Sequence, residues 1–327
     1  MNLCIAIITE NFVSPWYPND LDSFLGGSQE CVVLLAQALR SIGHTVDVFM
    51  YGPCPCQTVI YNSIRYQDFS KFQPTYQTVI LFKINPFKQP LSAGTNVIYW
   101  SSDIENKPTL PGIRYYVSLT QYHRLKNNWG LPADISPVIP HGIDMQSLLD
   151  NKTEKEADTM LYSSSLDRGF TTLITDWPKI KQNNSKMKLY VTYGFKIAKQ
   201  ISYGLMKVII NNNEESLINE CKDLGITYLG NISKNELEKL YWKCQYWVLP
   251  LNNEKSELFC FNAIKAQLCG CIPIVNKIGA LTETVGDYIN YKDFVNNQMK
   301  VIRADNTPPI YSWPEVVNKY WKKIIMG

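Results

Sequence analysis

The sequence predicts an α/β protein built from two Rossmann-like halves. Short apolar runs recur as buried strands and alternate with amphipathic helical segments. The stretch 240–285 reads as a strand, loop, helix and strand in succession, the building block of a parallel sheet. A chain of 327 residues suits two cores of about 150 residues each.

The first half opens with an apolar run over 2–9, typical of a first parallel strand. A loop from Glu10 to Phe24 follows. Leu25-Gly26-Gly27-Ser28 then leads into a helix over 29–42, with Gly43 as its C-terminal stop and a second strand over 45–50. Two adjacent glycines lack the GxGxxG spacing, so a dinucleotide site is not indicated. Further strands are expected over 79–82, 96–99 and 115–119. The second of these ends in Trp100-Ser101-Ser102-Asp103, and the third leads to a helix start holding His123, read as a surface helix histidine. Val138 to Asp144 marks a hinge turn, and the domain boundary is placed near 146.

The second half begins with a strand over 159–162, after a polar linker or surface helix at 150–158. Ser163-Ser164-Ser165-Leu166-Asp167-Arg168-Gly169 sets hydroxyls and one guanidinium at a helix start, a combination suited to a diphosphate. Strands are expected over 188–192, leaving through Tyr193, and over 226–229, leaving through Gly230 and Asn231. Ser233 and Glu236 form a capping-box pattern for a helix over 235–244. Then come a strand over 246–251, a polar loop, Glu257, and a helix over 261–268 closed by Cys269-Gly270. A strand over 272–275 follows. The tail from Ser312 reads as a capped amphipathic helix with Val316, Val317, Tyr320, Trp321 and Ile324 on its apolar face.

A carboxylate placed just before a helix N-terminus does not bind phosphate, but it takes hydroxyls beside one. Glu257, followed by the amides of Leu258, Phe259, Cys260 and Phe261, therefore fits a sugar-phosphate ligand.

This segment resembles the donor-binding motif of retaining GT-B glycosyltransferases of the family 4 kind. The likeness rests on Glu257, Phe259, Ala266, Gly270, Pro273 and Val275. It implies two Rossmann-like domains facing across a cleft, the last helix crossing back to the first domain. The expected domains are 1–145 completed by 312–327 on the acceptor side, and 146–311 on the donor side. In the family the first Glu of the motif holds donor-sugar hydroxyls, the amides hold the diphosphate, and a second Glu holds the ribose diol. Lys265 stands in that second place here, and a lysine accepts no hydrogen bond from a diol. The resemblance extends to Ser164, Ser165 and Arg168 as a phosphate loop and to Gly26 and Gly27 as a loop over donor phosphate and sugar. It puts Tyr193, Gly230 and Asn231 beside the nucleoside. Ser102 occupies the place of a family histidine, and with Asp103 and His123 it is a candidate for the acceptor or sugar side.

The resemblance implies an enzyme that moves a sugar from a UDP- or GDP-sugar to a glycan or other hydroxyl acceptor. Arg168 and Glu257 are the catalytic candidates, with no cofactor and no metal. A GT-B-like binding protein with weak or no transfer is the alternative, motivated by Lys265 and Ser102. A sugar-nucleotide epimerase ranks last, because only three histidines are present. Net charge is +3 and gives no case for nucleic acid. Nine scattered cysteines form no disulfide framework, and the first residues lack the pattern of a signal peptide. With no apolar run of transmembrane length, a cytoplasmic protein is expected.

Overall fold

A computed structural model describes residues 2–11, 16–22, 25–53, 56–193, 214–252, 257–304, 308 and 310–326. The chain divides into two compact units, Met1–Asp144 with Ile310–Gly327, and Met145–Pro309.

The first unit holds a seven-stranded sheet: β1 Cys4–Glu10, β2 Thr45–Tyr51, β3 Val59–Tyr61, β4 Ile64–Asp68, β5 Thr78–Phe82, β6 Asn96–Trp100 and β7 Ile113–Val117. Their order is β3-β4-β2-β1-β5-β6-β7. All neighbours are parallel except the edge pair β3 and β4. β5 and β6 are buried along their whole length, as apolar runs without alternation require. Ala6, Ile8, Phe49, Val79, Leu81, Val97 and Tyr99 pack into one core.

The helix Gly27–Ser41 starts on the glycine pair and ends before Gly43, whose φ of +97° suits glycine. The short helix Gln121–Asn127 is capped by Thr120, which accepts from the His123 amide. His123 is fully buried, which corrects its reading as a surface residue. Its ring faces the loop after β6 instead of solvent, because Leu119 N–H and the Asp103 carbonyl both bind it.

The terminal helix is part of this unit. It runs as an α-helical turn Trp313–Val316, a π-helical turn Val317–Trp321 and a last turn Lys322–Ile325. A capping box between Ser312 and Glu315 opens it. Trp313, Val316, Val317, Trp321 and Ile325 are buried, and Tyr320 lies half-buried against Tyr311. Asn96 Nδ2 donates to the carbonyls of Ile324 (2.7 Å) and Ile325 (3.2 Å), so β6 satisfies the end of the helix. Gly142, in the 138–144 turn, is a glycine because of space. A Cβ there would stand 2.6 Å from Trp313 Cα and 2.7 Å from Trp313 N.

The second unit holds a six-stranded parallel sheet in the order β10-β9-β8-β11-β12-β13. Its strands are β8 Glu156–Tyr162, β9 Lys188–Thr192, β10 Thr227–Gly230, β11 Cys244–Leu249, β12 Ile272–Val275 and β13 Ile289–Asn290. Helices Phe170–Asn183, Lys234–Lys243 and Phe261–Leu268 flank it, and Ser233 with Glu236 makes the expected capping box. Gly270 follows the helix Phe261–Leu268 with φ +78°.

The polar stretch at 150–158 is neither linker nor surface helix. It contains the end of a helix Met145–Asp150 and the start of β8. Between them Lys155 Nζ donates to the carbonyls of Tyr241 (3.1 Å), Cys244 (2.9 Å) and Cys269 (2.7 Å). The ammonium thus satisfies the C-terminal ends of two helices, where their dipoles favour a cation.

Candidate functional site: the Arg168–Glu257 pair

In the second sheet the chain builds outward from β8 through β9 to β10, then returns to start β11 on the other side of β8. The strand order therefore reverses between β8 and β11. In open α/β sheets ligands bind at such a reversal, beyond the carboxyl ends of the strands. The loop after β8 carries Arg168, and the loop after β11 carries Glu257.

These two side chains meet. Arg168 Nη1 lies 2.7 Å from Glu257 Oε2, with the arginine side chain 35% exposed and the glutamate 7%. The loops that carry them are held in place from several sides. Tyr162 Oη donates to the carbonyls of Ser165 (2.6 Å) and Arg168 (3.2 Å). Ser163 Oγ binds Tyr241 Oη at 3.1 Å and accepts from Trp247 Nε1 at 3.0 Å. Asn262, in the first turn of the helix Phe261–Leu268, donates to the Ser163 carbonyl. Gly169 has φ +84°, and a Cβ on it would stand 2.3 Å from the Pro250 carbonyl oxygen. Only glycine lets the arginine loop lie against the end of β11.

Burial pushes the Glu257 carboxyl above its usual range. The Arg168 charge, the Phe259 amide and the Cys260 thiol, which all donate toward the carboxylate, pull it back. One of the backbone amides expected to face a diphosphate, that of Phe259, is thus turned to Glu257 itself. For Arg168, burial works against the charge, but Glu257, Cys260 and Asp167 outweigh it and the guanidinium stays protonated. Phe259 and Phe261 pack edge to face at 5.1 Å.

The remaining predicted residues divide by unit. Ser164 is buried and Ser165 half-buried in the arginine loop. Tyr193 leaves β9 with φ +84°, its amide donating to the Gly230 carbonyl at 2.8 Å. Burial raises its hydroxyl pKa, and the Arg168 charge lowers it, so this residue lies within reach of the pair's field. Gly230 has φ +63° at the end of β10, followed by Asn231. Leu258 is half-buried beside Glu257. The 194–195 part of the β9 exit loop lies outside the described residues, as does 253–256 before Glu257.

Lys265 is buried, 6% exposed, on the second turn of its helix. Its charge acts on Glu238, a carboxylate 1% exposed on the neighbouring helix. Glu238 Oε2 accepts from Ser147 Oγ (2.7 Å) and Asn151 Nδ2 (3.0 Å), whereas Oε1 is buried with no partner among the described residues. Burial raises the Glu238 pKa, and Ser147 and Lys265 oppose it. No motif pointed to Glu238, which reads in sequence as an ordinary helix-surface residue.

Gly26, Gly27, Ser102, Asp103 and His123 belong to the first unit. Gly26 is the N-cap residue of the helix Gly27–Ser41. His123 Nδ1 accepts from Leu119 N–H, so its proton sits on Nε2, which donates to the Asp103 carbonyl at 2.8 Å. Burial holds its pKa low, and the ring is neutral. The Asp103 carboxylate is 62% exposed and lies 3.0 Å from Lys83 Nζ. Ser102 Oγ is buried without a hydrogen-bond partner among the described residues.

Residues 147–301 match the family described as Glycosyl transferases group 1. The second unit is a glycosyl transferases group 1 domain. Arg168 and Glu257 both lie in that domain. No curated protein sequence matches the chain. The whole chain has the GT-B fold of solved glycosyltransferases. It is similar to AviGT4, a glycosyltransferase involved in avilamycin A biosynthesis, with 14% identity, TM-score 0.64, and coverage of 98% of this chain and 97% of that one. It is similar to a sucrose-phosphate synthase from Thermosynechococcus elongatus, with 14% identity, TM-score 0.61, and coverage of 99% and 97%. Anabaena HepE, solved with UDP and glucose, aligns with 12% identity, TM-score 0.57, and coverage of 99% and 92%. Among the described residues of the glycosyl transferase and its companion unit, no helix is long and apolar enough to cross a membrane.

Proposed function

We propose that the protein transfers a sugar from a nucleoside-diphosphate sugar to an acceptor hydroxyl, with retention at the anomeric carbon. The observation that carries this reading is the Arg168–Glu257 pair at the strand-order reversal of the glycosyl transferase domain. As the glycosidic bond breaks, charge grows on the departing diphosphate, and a preorganised cation beside it lowers the barrier. Arg168 is that cation. Its Nη1 is engaged by Glu257, and the remaining donors of the planar fork suit phosphate oxygens. Glu257 holds the guanidinium in place, and its carboxylate takes donor-sugar hydroxyls.

Ser164, Ser165 and the turn at 258–261 complete the diphosphate site, and Tyr193, Gly230 and Asn231 adjoin the nucleoside. For Gly26 and Gly27 we propose a role in donor binding, and for Ser102, Asp103 and His123 one on the acceptor or sugar side. A neutral, buried His123 acts by holding the Asp103 loop. Departure of the diphosphate is assisted by arginine, so we propose a reaction that needs no metal and runs unchanged after treatment with a chelator. The relative solved with UDP and glucose supports a uridine nucleotide as the first donor to test. We take the cytosol as its compartment, since eight free cysteines stand among the described residues.

One observation favours the second reading, a protein that binds sugar nucleotide and transfers poorly. The position expected to hold the ribose diol is a buried lysine whose charge acts on Glu238. Calorimetric titration with UDP- and GDP-sugars, paired with donor-hydrolysis and transfer assays, separates the two. Turnover that vanishes in Arg168→Ala supports transfer, binding without turnover supports the second reading, and no binding by any donor rejects both.

A further inference from the structure

The first unit carries a charged cluster that no motif announces. β5 ends at Phe82, and the next residue, Lys83, has φ +62°. Its amide donates to the Trp100 carbonyl at 3.1 Å, tying it to the end of β6. The side chain is only 16% exposed. Nζ lies 3.0 Å from Asp103 Oδ2, 3.7 Å from Glu10 Oε1 and 3.4 Å from Ser28 Oγ.

Those three partners come from three different places. Glu10 ends β1, Asp103 follows β6, and Ser28 lies in the first helical turn after the glycine pair. In this sheet the strand order reverses between β1 and β5. Glu10 and Lys83 therefore flank the reversal in the first unit, as Arg168 and Glu257 flank it in the second. A solvated strand-end lysine adopts neither this backbone nor this burial. A left-handed backbone costs about 1–2 kcal/mol for a residue with a side chain, and a buried ammonium must be paired. The ammonium remains charged, because Asp103 and Glu10 outweigh the effect of burial. Without it two carboxylates would repel across the loops.

We propose that Lys83 is a positioning residue for sugar transfer, holding the Gly26–Gly27 turn through Ser28 and fixing the loops of Glu10 and Asp103 around it. This rests on the transferase reading above. Lys83 acts through these loops and not by contact with the reacting atoms.

The test compares wild type, Lys83→Met, Lys83→Arg and Ser28→Ala in the full chain, with the donor that wild type turns over best. Misplacing a positioning loop lowers turnover by roughly 100-fold, so Lys83→Met is expected to lose kcat on that scale, and because the Gly26–Gly27 turn belongs to the donor site, donor Kd by calorimetry is expected to weaken by a smaller factor. Lys83→Arg, which keeps charge and reach, is expected to recover most of the kcat. Ser28→Ala is expected to lower kcat without changing the melting temperature. A Lys83→Met protein that melts earlier but turns over normally per folded molecule overturns the proposal. If Lys83→Met does not fold, normal kcat in Ser28→Ala overturns it equally. A wild type with no turnover on any donor removes the transferase reading instead, a result visible before any variant is made.

Discussion

Arg168 Nη1 and Glu257 Oε2 stand 2.7 Å apart although 89 residues separate them in the chain. The contact joins the loop after β8 to the loop after β11, the two strands between which the order of the sheet reverses. A guanidinium at such a point is aimed by its carboxylate partner, not left to sample solvent.

Loss of the cation is expected to be felt mainly in turnover. Arg168→Ala should lower the transfer rate by roughly 100- to 1,000-fold, the scale on which a preorganised charge stabiliser acts. Stability should fall by about 1–3 kcal/mol, because Glu257 keeps its burial and loses its strongest donor. Steady-state kinetics and urea unfolding read the two effects separately. Normal turnover in this variant would remove Arg168 from the site.

The acid side of the pH profile should report Glu257. Burial raises its folded-state pKa above the ordinary carboxylate value. The ionised form, which accepts sugar hydroxyls, is therefore lost at a higher pH than for an exposed glutamate. Donor binding should weaken as pH falls through that raised value, and Arg168→Ala should move the limb higher still. Stability runs the other way. This group's contribution is present below the unfolded carboxylate pKa and is lost as pH rises through the folded one. Glu257→Gln should remove that pH dependence, and a limb unmoved in the variant would assign it elsewhere.

Gly169→Ala tests the seat of the arginine loop. The backbone is left-handed at this residue, and the new methyl would collide with the Pro250 carbonyl oxygen at 2.3 Å. The φ alone costs about 1–2 kcal/mol, and relief of the clash must displace Arg168. A lower melting temperature together with lost turnover is the expected result. A variant with wild-type values for both would show that the loop does not need this contact.

Gly142→Ala tests the junction with the terminal helix. Its Cβ would meet the Trp313 backbone at 2.6–2.7 Å, where no flexible side chain can yield. Overpacking of this kind costs about 1–3 kcal/mol. Limited proteolysis should cut the chain before Trp313 in the variant sooner than in wild type.

Lys265→Glu would restore the carboxylate of the family motif, yet it should not restore a ribose site. It would set a second carboxyl near buried Glu238, whose pKa is already raised by burial. Like charges there force one group to stay protonated. The variant should melt earlier, increasingly so as pH rises from acid to neutral, and Glu238→Gln in the same chain should recover part of the loss. Thermal melts across pH check both statements.

Much of the fold was legible because buried parallel strands are apolar along their whole length. β1, β5, β6 and β12 announce themselves by such runs, β2 and β9 by shorter apolar stretches inside them, and capping boxes mark the helices that begin at Lys234 and Trp313. The edge pair β3 and β4 is not legible in the sequence, since β3 is three residues long and Ile60 on it is 72% exposed. The helix Glu214–Asp223 is not legible either, being polar over most of its length. Arg168 and Glu257 were each marked by local chemistry, a cation among hydroxyls and a carboxylate before a helix.

By itself the sequence determined two layered α/β halves, their helix ends, and a cation and a carboxylate as the residues to watch. Apolar period and capping chemistry are local properties, so they survive without coordinates. Only the tertiary structure decided that Arg168 and Glu257 form one pair, that Lys265 is buried where its charge acts on Glu238, and that Lys83 gathers Glu10, Asp103 and Ser28. Those facts depend on strand order. A lysine after a strand or a glutamate on a helix looks solvated until the sheet assigns its neighbours.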